Sequence, residues 1–105
     1  MQAQHLARQL ATGGAPEILD VRSGLEYRSG HIPQALHAPL TKILLRLVRL
    51  PQDKQQLIVI TCEHGPRAQL AMRVLRGLGY VRLELLEGHM TGWRRAGLPI
   101  EKRTK

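Results

Sequence analysis

Leu57-Ile58-Val59-Ile60-Thr61-Cys62-Glu63-His64-Gly65-Pro66-Arg67-Ala68 is the stretch that decides the fold. A short apolar, β-branched run bounded by turn residues reads as a buried strand. The run stops at a thiol, and Gly65-Pro66 marks a tight turn. From Arg67 to Leu78 the apolar residues Leu70, Ala71, Val74, Leu75 and Leu78 fall at helical spacing, and Gly77 and Gly79 end the pattern. Cys62, the sole cysteine, thus stands at the carboxyl end of a strand and faces the amino end of a helix. In open α/β sheets this crevice is where ligands bind. Turn amides and the helix amino end favour anions there, a thiolate included.

Working outward, residues 3–11 are rich in Ala and Leu and read as a short helix, closed by Thr12-Gly13-Gly14-Ala15-Pro16. Glu17 to Val21 reads as a strand, Arg22 to Pro33 as a polar connection, and Ala35 to Ala38 as a short strand. Leu40 to Leu50 sets Leu44, Leu45, Leu47 and Val48 beside Lys42, Arg46 and Arg49. That pattern predicts an amphipathic helix ending at Pro51, with a core-facing stripe and a basic outer face. Val81 to Leu86 reads as a strand, Thr91 to Ala96 as a last helical turn or two, and residues 101–105 as a flexible tail. Strands separated by helices imply an α/β domain with a mainly parallel sheet and helices on both faces. No internal repeat or low-complexity linker divides the chain, so residues 1–105 form one domain.

Hydrophobic residues make up 43% of the chain, enough for a core, but Phe is absent and aromatics reach only 3%. The core must therefore be built from Leu, Ile, Val, Ala and Met. The formal net charge of +8 fits an acidic partner, attraction of small anions, or a solvated basic surface. Twelve of the sixteen positive residues are Arg, spread from Arg8 to Arg103 with no block of five like charges, so a nucleic-acid arm is unsupported. One cysteine excludes an internal disulfide framework and a Cys-rich zinc site. The five histidines (His5, His31, His37, His64, His89) match no ligand spacing, and no metal or other cofactor is expected. No apolar stretch approaches the roughly 20 residues that span a bilayer, and the first residues carry no signal-peptide core. No membrane association is expected, and a reducing cytoplasm, where a free thiol survives, is the expected location.

A thiol used as a nucleophile needs its ordinary pKa of about 8.5 lowered. Here converging turn amides and Arg67, five residues on, supply positive potential. Pro66 removes one donor from that nest. Glu63 would oppose a neighbouring thiolate if it pointed inward, so its side chain is expected to face out. His64 is placed to donate a proton or to contact substrate. The whole reading requires a Cys62 sulfur that is ionised and reachable from water. A bare buried cysteine at a strand end is otherwise a small core hydrophobe.

The loop pattern Cys-x-x-Gly-x-Arg resembles that of the rhodanese (sulfurtransferase) family, and the flanks agree. Leu19-Asp20-Val21-Arg22 with Glu26-Tyr27, then Gly30-His31-Ile32-Pro33-x-Ala35, then Leu86-Glu87-Gly88 with Trp93, then Gly97-Leu98-Pro99, follow the family's order over about residues 17–99. The resemblance implies a single-domain, rhodanese-like three-layer α/β/α fold with a small sheet of about four to five strands. With only Met1-Gln2 before the first helix, the family's first edge strand is expected to be missing or vestigial.

The resemblance also implies a mechanism. Cys62 as thiolate takes the outer sulfur of thiosulfate or a persulfide donor, becomes a persulfide, and passes that sulfur to a thiol or cyanide. The amides of Glu63, His64, Gly65 and Arg67 would cradle it, Arg67 would fix the loop and add positive field, and Arg22 would stand near the substrate entrance. For Arg22 a structural ion pair with Asp20 or Glu26 competes with that role. For His31 a backbone hydrogen bond fixing a turn, and for Trp93 packing of the last helix on the sheet, are the expected roles. Four residues separate Cys62 from Arg67, where related phosphatases and arsenate reductases use five to enclose a tetrahedral oxyanion. Gln34, His37 and His89 depart from the family's usual Gly, Asn and Gly. Gln34 and His89 are expected to strain their turns, and none of the three to touch the nucleophile. A persulfide carrier docking on an acidic protein partner, with little thiosulfate turnover, is the alternative function. A non-catalytic module is disfavoured by the intact Cys62 and Arg67.

Overall fold

The computed structural model describes residues 1–102. At its centre β1 (Glu17–Asp20) and β3 (Ile58–Thr61) lie side by side in a four-stranded parallel sheet ordered β2-β1-β3-β4. β2 (Leu36–His37) and β4 (Leu83–Leu85) form the edges. Leu19 stands opposite both Leu36 and Ile60, and Ile60 opposite Leu85. This register sends alternate residues to opposite faces. Leu19, Ile58, Ile60 and Cys62 pack with Ile43 of α3 (Leu40–Leu44) and with Ala68, Ala71 and Leu75 of α4 (Pro66–Gly77). Ile18 and Val59 face the other way, onto Leu6 of α1 (Ala3–Thr12), Tyr27 of α2 (Gly24–Ser29), and Met90 and Trp93 of α5 (His89–Arg95). The result is three layers, α/β/α. All four β3 residues are buried, as a near-continuous apolar run predicts. Each fully buried Ile or Leu contributes about 1.5–3 kcal/mol of transfer free energy. The small residues Ala68 and Ala71 let α4 lie close on the sheet.

Met1 runs beside the β4 edge without forming a strand. Its amino group donates to the Leu85 carbonyl at 2.8 Å, and its own carbonyl accepts the Glu87 amide at 2.9 Å. Trp93 packs α5 on the face of the sheet with Ile18 and Val59 as expected, fully buried, with its indole N–H donating to the Pro99 carbonyl at 2.8 Å.

Three expectations are corrected. The polar connection contains α2, started by a capping box: the Ser23 hydroxyl accepts the Glu26 amide while the Glu26 carboxylate accepts the Ser23 amide. The helix expected to run to Leu50 stops at Leu44. Arg46 adopts a left-handed φ of 57°, and the Leu47 and Arg46 amides close back on the Lys42 and Ile43 carbonyls. The same closure ends α4 at Gly79, where glycine makes it legible; an arginine in that role is not. In consequence Leu44, Leu45 and Leu47 do not form a core stripe but are exposed. Thirdly, Glu101 is no part of a free tail. Its backbone exchanges two hydrogen bonds with His31, at 2.9 and 2.8 Å. Residues 103–105 lie outside the described residues. Among those described, no helix is long and apolar enough to cross a membrane, and no group of three or more His, Cys, Asp or Glu is placed to hold a metal ion.

Candidate active site

Cys62 follows β3 and continues its period-two row, so its side chain enters the α4 layer beneath the helix start. Gly65 caps α4 with φ 132°, a value open to glycine, and Pro66 occupies the first turn, where a missing N–H costs nothing. This turn aims the Gly65 amide at the Cys62 sulfur, and the N···Sγ distance is 2.9 Å. A backbone donor and the amino end of a 12-residue helix therefore converge on one thiol.

The sulfur is not reachable from water in this conformation. Cys62 is fully buried within the cluster that holds Ala68, Ala71 and Ile60. Chemistry at Sγ consequently requires residues 63–65 or their cover to move. The expectation of an open thiol is corrected on this point, whereas the inward-pointing donor is present.

Arg22 is 2% exposed and saturated with acceptors. Its Nε and Nη2 donate to Asp20 at 3.0 and 2.8 Å, its Nη2 also to the Gly30 carbonyl at 2.7 Å, and its Nη1 to Glu63 at 3.2 Å. Asp20 is itself fully buried and also accepts the Arg22 amide at 3.1 Å. The geometry is that of the structural ion pair with Asp20. Glu63 does not face out. It is half-buried, joined to Arg22 on one side and to Arg94 and the Thr91 hydroxyl on the other. Thr91 further donates from its amide and hydroxyl to the Glu63 carbonyl, and its hydroxyl lies 3.3 Å from Nδ1 of the exposed His64.

Arg67 makes a two-point ion pair with Glu26, at 2.6 and 2.9 Å. It fixes the start of α4 to α2, as expected of a loop-fixing residue, but its field is largely compensated. That pair, helped by Ser23, holds the Glu26 carboxyl at about 2, well below its ordinary 4.5. The Arg67 guanidinium is raised in turn, first by Glu26 and to a lesser degree by Cys62 and Asp20. His31 fixes a turn through Nδ1 and the Tyr27 carbonyl at 2.7 Å, as expected. Its ring and that of His37 stack on the two flanks of Tyr27, and His37 donates to the Arg22 carbonyl at 2.9 Å.

His89 is the residue that sequence reasoning misplaced. It was expected clear of the nucleophile, yet its Nδ1 accepts the Cys62 amide at 3.3 Å. Its backbone is left-handed, φ 49°, as is that of Gln34, φ 71°; the two departures from glycine thus sit at strained turns, as anticipated. Thr91 and Arg94 were also missed. His89 alone carried a signal, its departure from the resembled pattern.

A cavity of about 520 Å³ opens beside the loop, lined by Arg22, Glu26, Glu63, Arg94, Leu25 and Lys102 among others. It is within reach of the loop's outer side, and Cys62 does not line it.

Fold and site together define a class: a parallel α/β domain with a single buried thiol anchored by a strand-to-helix turn. The model of the rhodanese-like domain matches residues 2–96. A sulfurtransferase of Allochromatium vinosum is 34% identical over 100 residues, covering 95% of this chain and 92% of its own length. The thiosulfate sulfurtransferase GlpE of Actinobacillus pleuropneumoniae is 29% identical, with 92% of this chain and 88% of that protein covered. Other curated relatives are longer, and the chain spans 52% of one Synechocystis protein. Among solved structures, that of the Alr3790 protein from Anabaena superposes with a TM-score of 0.86 at 27% identity, over 99% of this chain and 83% of that one. This chain belongs to the rhodanese-like family.

Proposed function

We propose that this protein is a sulfurtransferase whose nucleophile is Cys62 and whose donor is thiosulfate or a persulfide. The Cys62 thiolate attacks the sulfane sulfur, the donor's S–S bond breaks, and sulfite or a thiolate departs with the bonding pair. The new Sγ–S bond makes a persulfide. A thiolate or cyanide then attacks its outer sulfur and returns the Cys62 thiolate, leaving an acceptor persulfide or thiocyanate. The observation that carries this reading is the Gly65 amide 2.9 Å from Sγ, a donor aimed at the atom that bears the thiolate charge before transfer and regains it as leaving group when the acceptor takes the outer sulfur. The exposure of His64 supports its role in contacting the incoming donor. The four-residue spacing from Cys62 to Arg67 favours a sulfur atom over a larger tetrahedral oxyanion. Printed names of relatives, among them a thiosulfate sulfurtransferase, support the same chemistry. No second cysteine is available to resolve the persulfide, so the acceptor comes from solution or another protein.

Intact-mass analysis after incubation with thiosulfate tests this. The wild type is expected to gain one sulfur atom, reversibly with reductant, and Cys62→Ser to gain none. An unchanged wild-type mass under conditions that alkylate Cys62 would refute the persulfide.

A persulfide carrier docking on an acidic partner remains the second reading, favoured by the net charge of +8 and the exposed Leu44, Leu45 and Leu47 beside basic residues. It predicts a persulfide that forms but turns over slowly with thiosulfate and small thiols.

A further inference from the structure

The pairing of β4 with β3 ends with Leu85 opposite Ile60, and the Leu86 amide donating to the Ile60 carbonyl. Beyond that point both backbone groups of Cys62 are met by the start of α5. Its carbonyl accepts the Met90 amide at 3.0 Å, and its amide donates to the His89 ring at 3.3 Å. An imidazole nitrogen that accepts a backbone N–H carries no proton, so Nδ1 of His89 is bare and the neutral ring holds its proton on Nε2. The same ring covers Gly65, with Nε2 3.2 Å from where a Cβ on that residue would stand. Gly65 is the residue whose amide holds the sulfur. One buried ring thus touches both ends of the segment that seals Cys62.

We propose that His89 is a positioning residue for Cys62: its neutral ring latches residues 62–65 closed over the sulfur, and protonation of the ring releases them. A proton on Nδ1 would set donor against donor across the Cys62 amide. The surroundings guard the neutral form. Burial opposes a charge on the ring most strongly, and His64 from the loop and the Met1 amino group ahead of α1 add like charge. The other titratable groups near the latch are the Cys62 thiol under it and Glu63, paired with Arg22 and Arg94 at the loop's rim. The backbone at residue 89 is left-handed, φ 49°, a strained conformation at the residue whose ring makes these contacts. This inference rests on the reading of Cys62 as the nucleophile, but its test does not use sulfur transfer.

Nitrogen NMR of the histidine rings at pH 7.5 is expected to show His89 with Nδ1 bare and Nε2 protonated. The Cys62 amide resonance is expected to titrate with the His89 midpoint, below the ordinary histidine value. His89→Asn keeps an acceptor on a residue that tolerates left-handed backbone, yet cannot titrate. It should retain slow iodoacetamide labelling of Cys62 and lose the pH dependence of the amide. His89→Gly keeps the backbone and loses the acceptor, and should label about two- to tenfold faster, the population change one hydrogen bond is worth. A proton on Nδ1, a Cys62 amide indifferent to the His89 titration, or wild-type labelling in folded His89→Gly would each overturn the latch. Absence of any persulfide with these results intact would instead overturn the sulfurtransferase reading alone.

Discussion

Glu26→Gln separates what the Glu26–Arg67 pair contributes from what the α2 cap contributes. Gln keeps an oxygen for the Ser23 amide and so preserves that half of the capping box. It removes the charge that faces Arg67 at 2.6 and 2.9 Å and, with its oxygen kept at the Ser23 amide, sets a side-chain amide nitrogen where Oε2 accepted from Arg67 Nη2, so both points of the pair are weakened. The carboxyl lies at about 2 in the folded state against 4.5 ordinarily. At about 1.4 kcal/mol per pH unit that depression has a ceiling of about 3 kcal/mol. Both side chains are about a third exposed, 33% and 38%, so solvent screening brings the expected value to about 1 kcal/mol. A depressed folded-state pKa stabilises above the unfolded value. The contribution is therefore complete above pH 4.5 and drains away as pH falls towards 2. Urea unfolding of wild type and Glu26→Gln, followed by circular dichroism at pH 7 and again near pH 2.5, measures it. The variant should be about 1 kcal/mol less stable at pH 7, and the gap should shrink at the lower pH. A gap below about 0.3 kcal/mol at pH 7, or one that is the same at both, would refute the assignment of the depression to Arg67.

Asp20→Asn takes from the buried Arg22 its closest carboxylate and leaves Glu63 as the remaining charged partner, so the loss is expected at the low end of what breaking a buried pair costs, about 3 kcal/mol. Urea midpoints should fall accordingly, with the slope of the transition unchanged. Gln34→Gly relieves a left-handed φ of 71° on a side chain that is exposed, and thermal unfolding should rise by the equivalent of about 1 kcal/mol. A lowered melting temperature would mean the Gln34 side chain contributes more than the turn costs it.

The sheet and α4 were legible because their signals are local and dense. Ile58 to Thr61 is a short apolar run, and Gly79 announces the end of the helix after it. Elements whose chemistry is unconventional were not. Arg46 terminates α3 in a conformation that glycine ordinarily supplies, so three leucines that periodicity assigns to the interior face solvent instead. The capping box at Ser23 and Glu26 was present in the letters, yet Glu26 also binds Arg67, a partner from a distant segment that spacing cannot reveal. At the site, Cys62 and Gly65 follow from strand, turn and helix in succession. The contact from His89 depends on where α5 docks past the edge of β4. Local patterns carry no information about such a meeting of separate elements. The burial of the sulfur is of the same kind, because it results from two layers closing on the loop together.

Arg22 gathers β1, the turn before β2 and the thiol loop around a single guanidinium. A lysine has three N–H donors but on one atom, and cannot reproduce the span by which Nε and Nη2 serve Asp20 and Gly30 while Nη1 serves Glu63. Drift at position 22 would strand the buried Asp20, whereas Glu63 would keep Arg94. Among descendants of this chain, positions 20 and 22 should thus be inherited together, and a lineage that loses the arginine should show Asp20 neutralised in the same step.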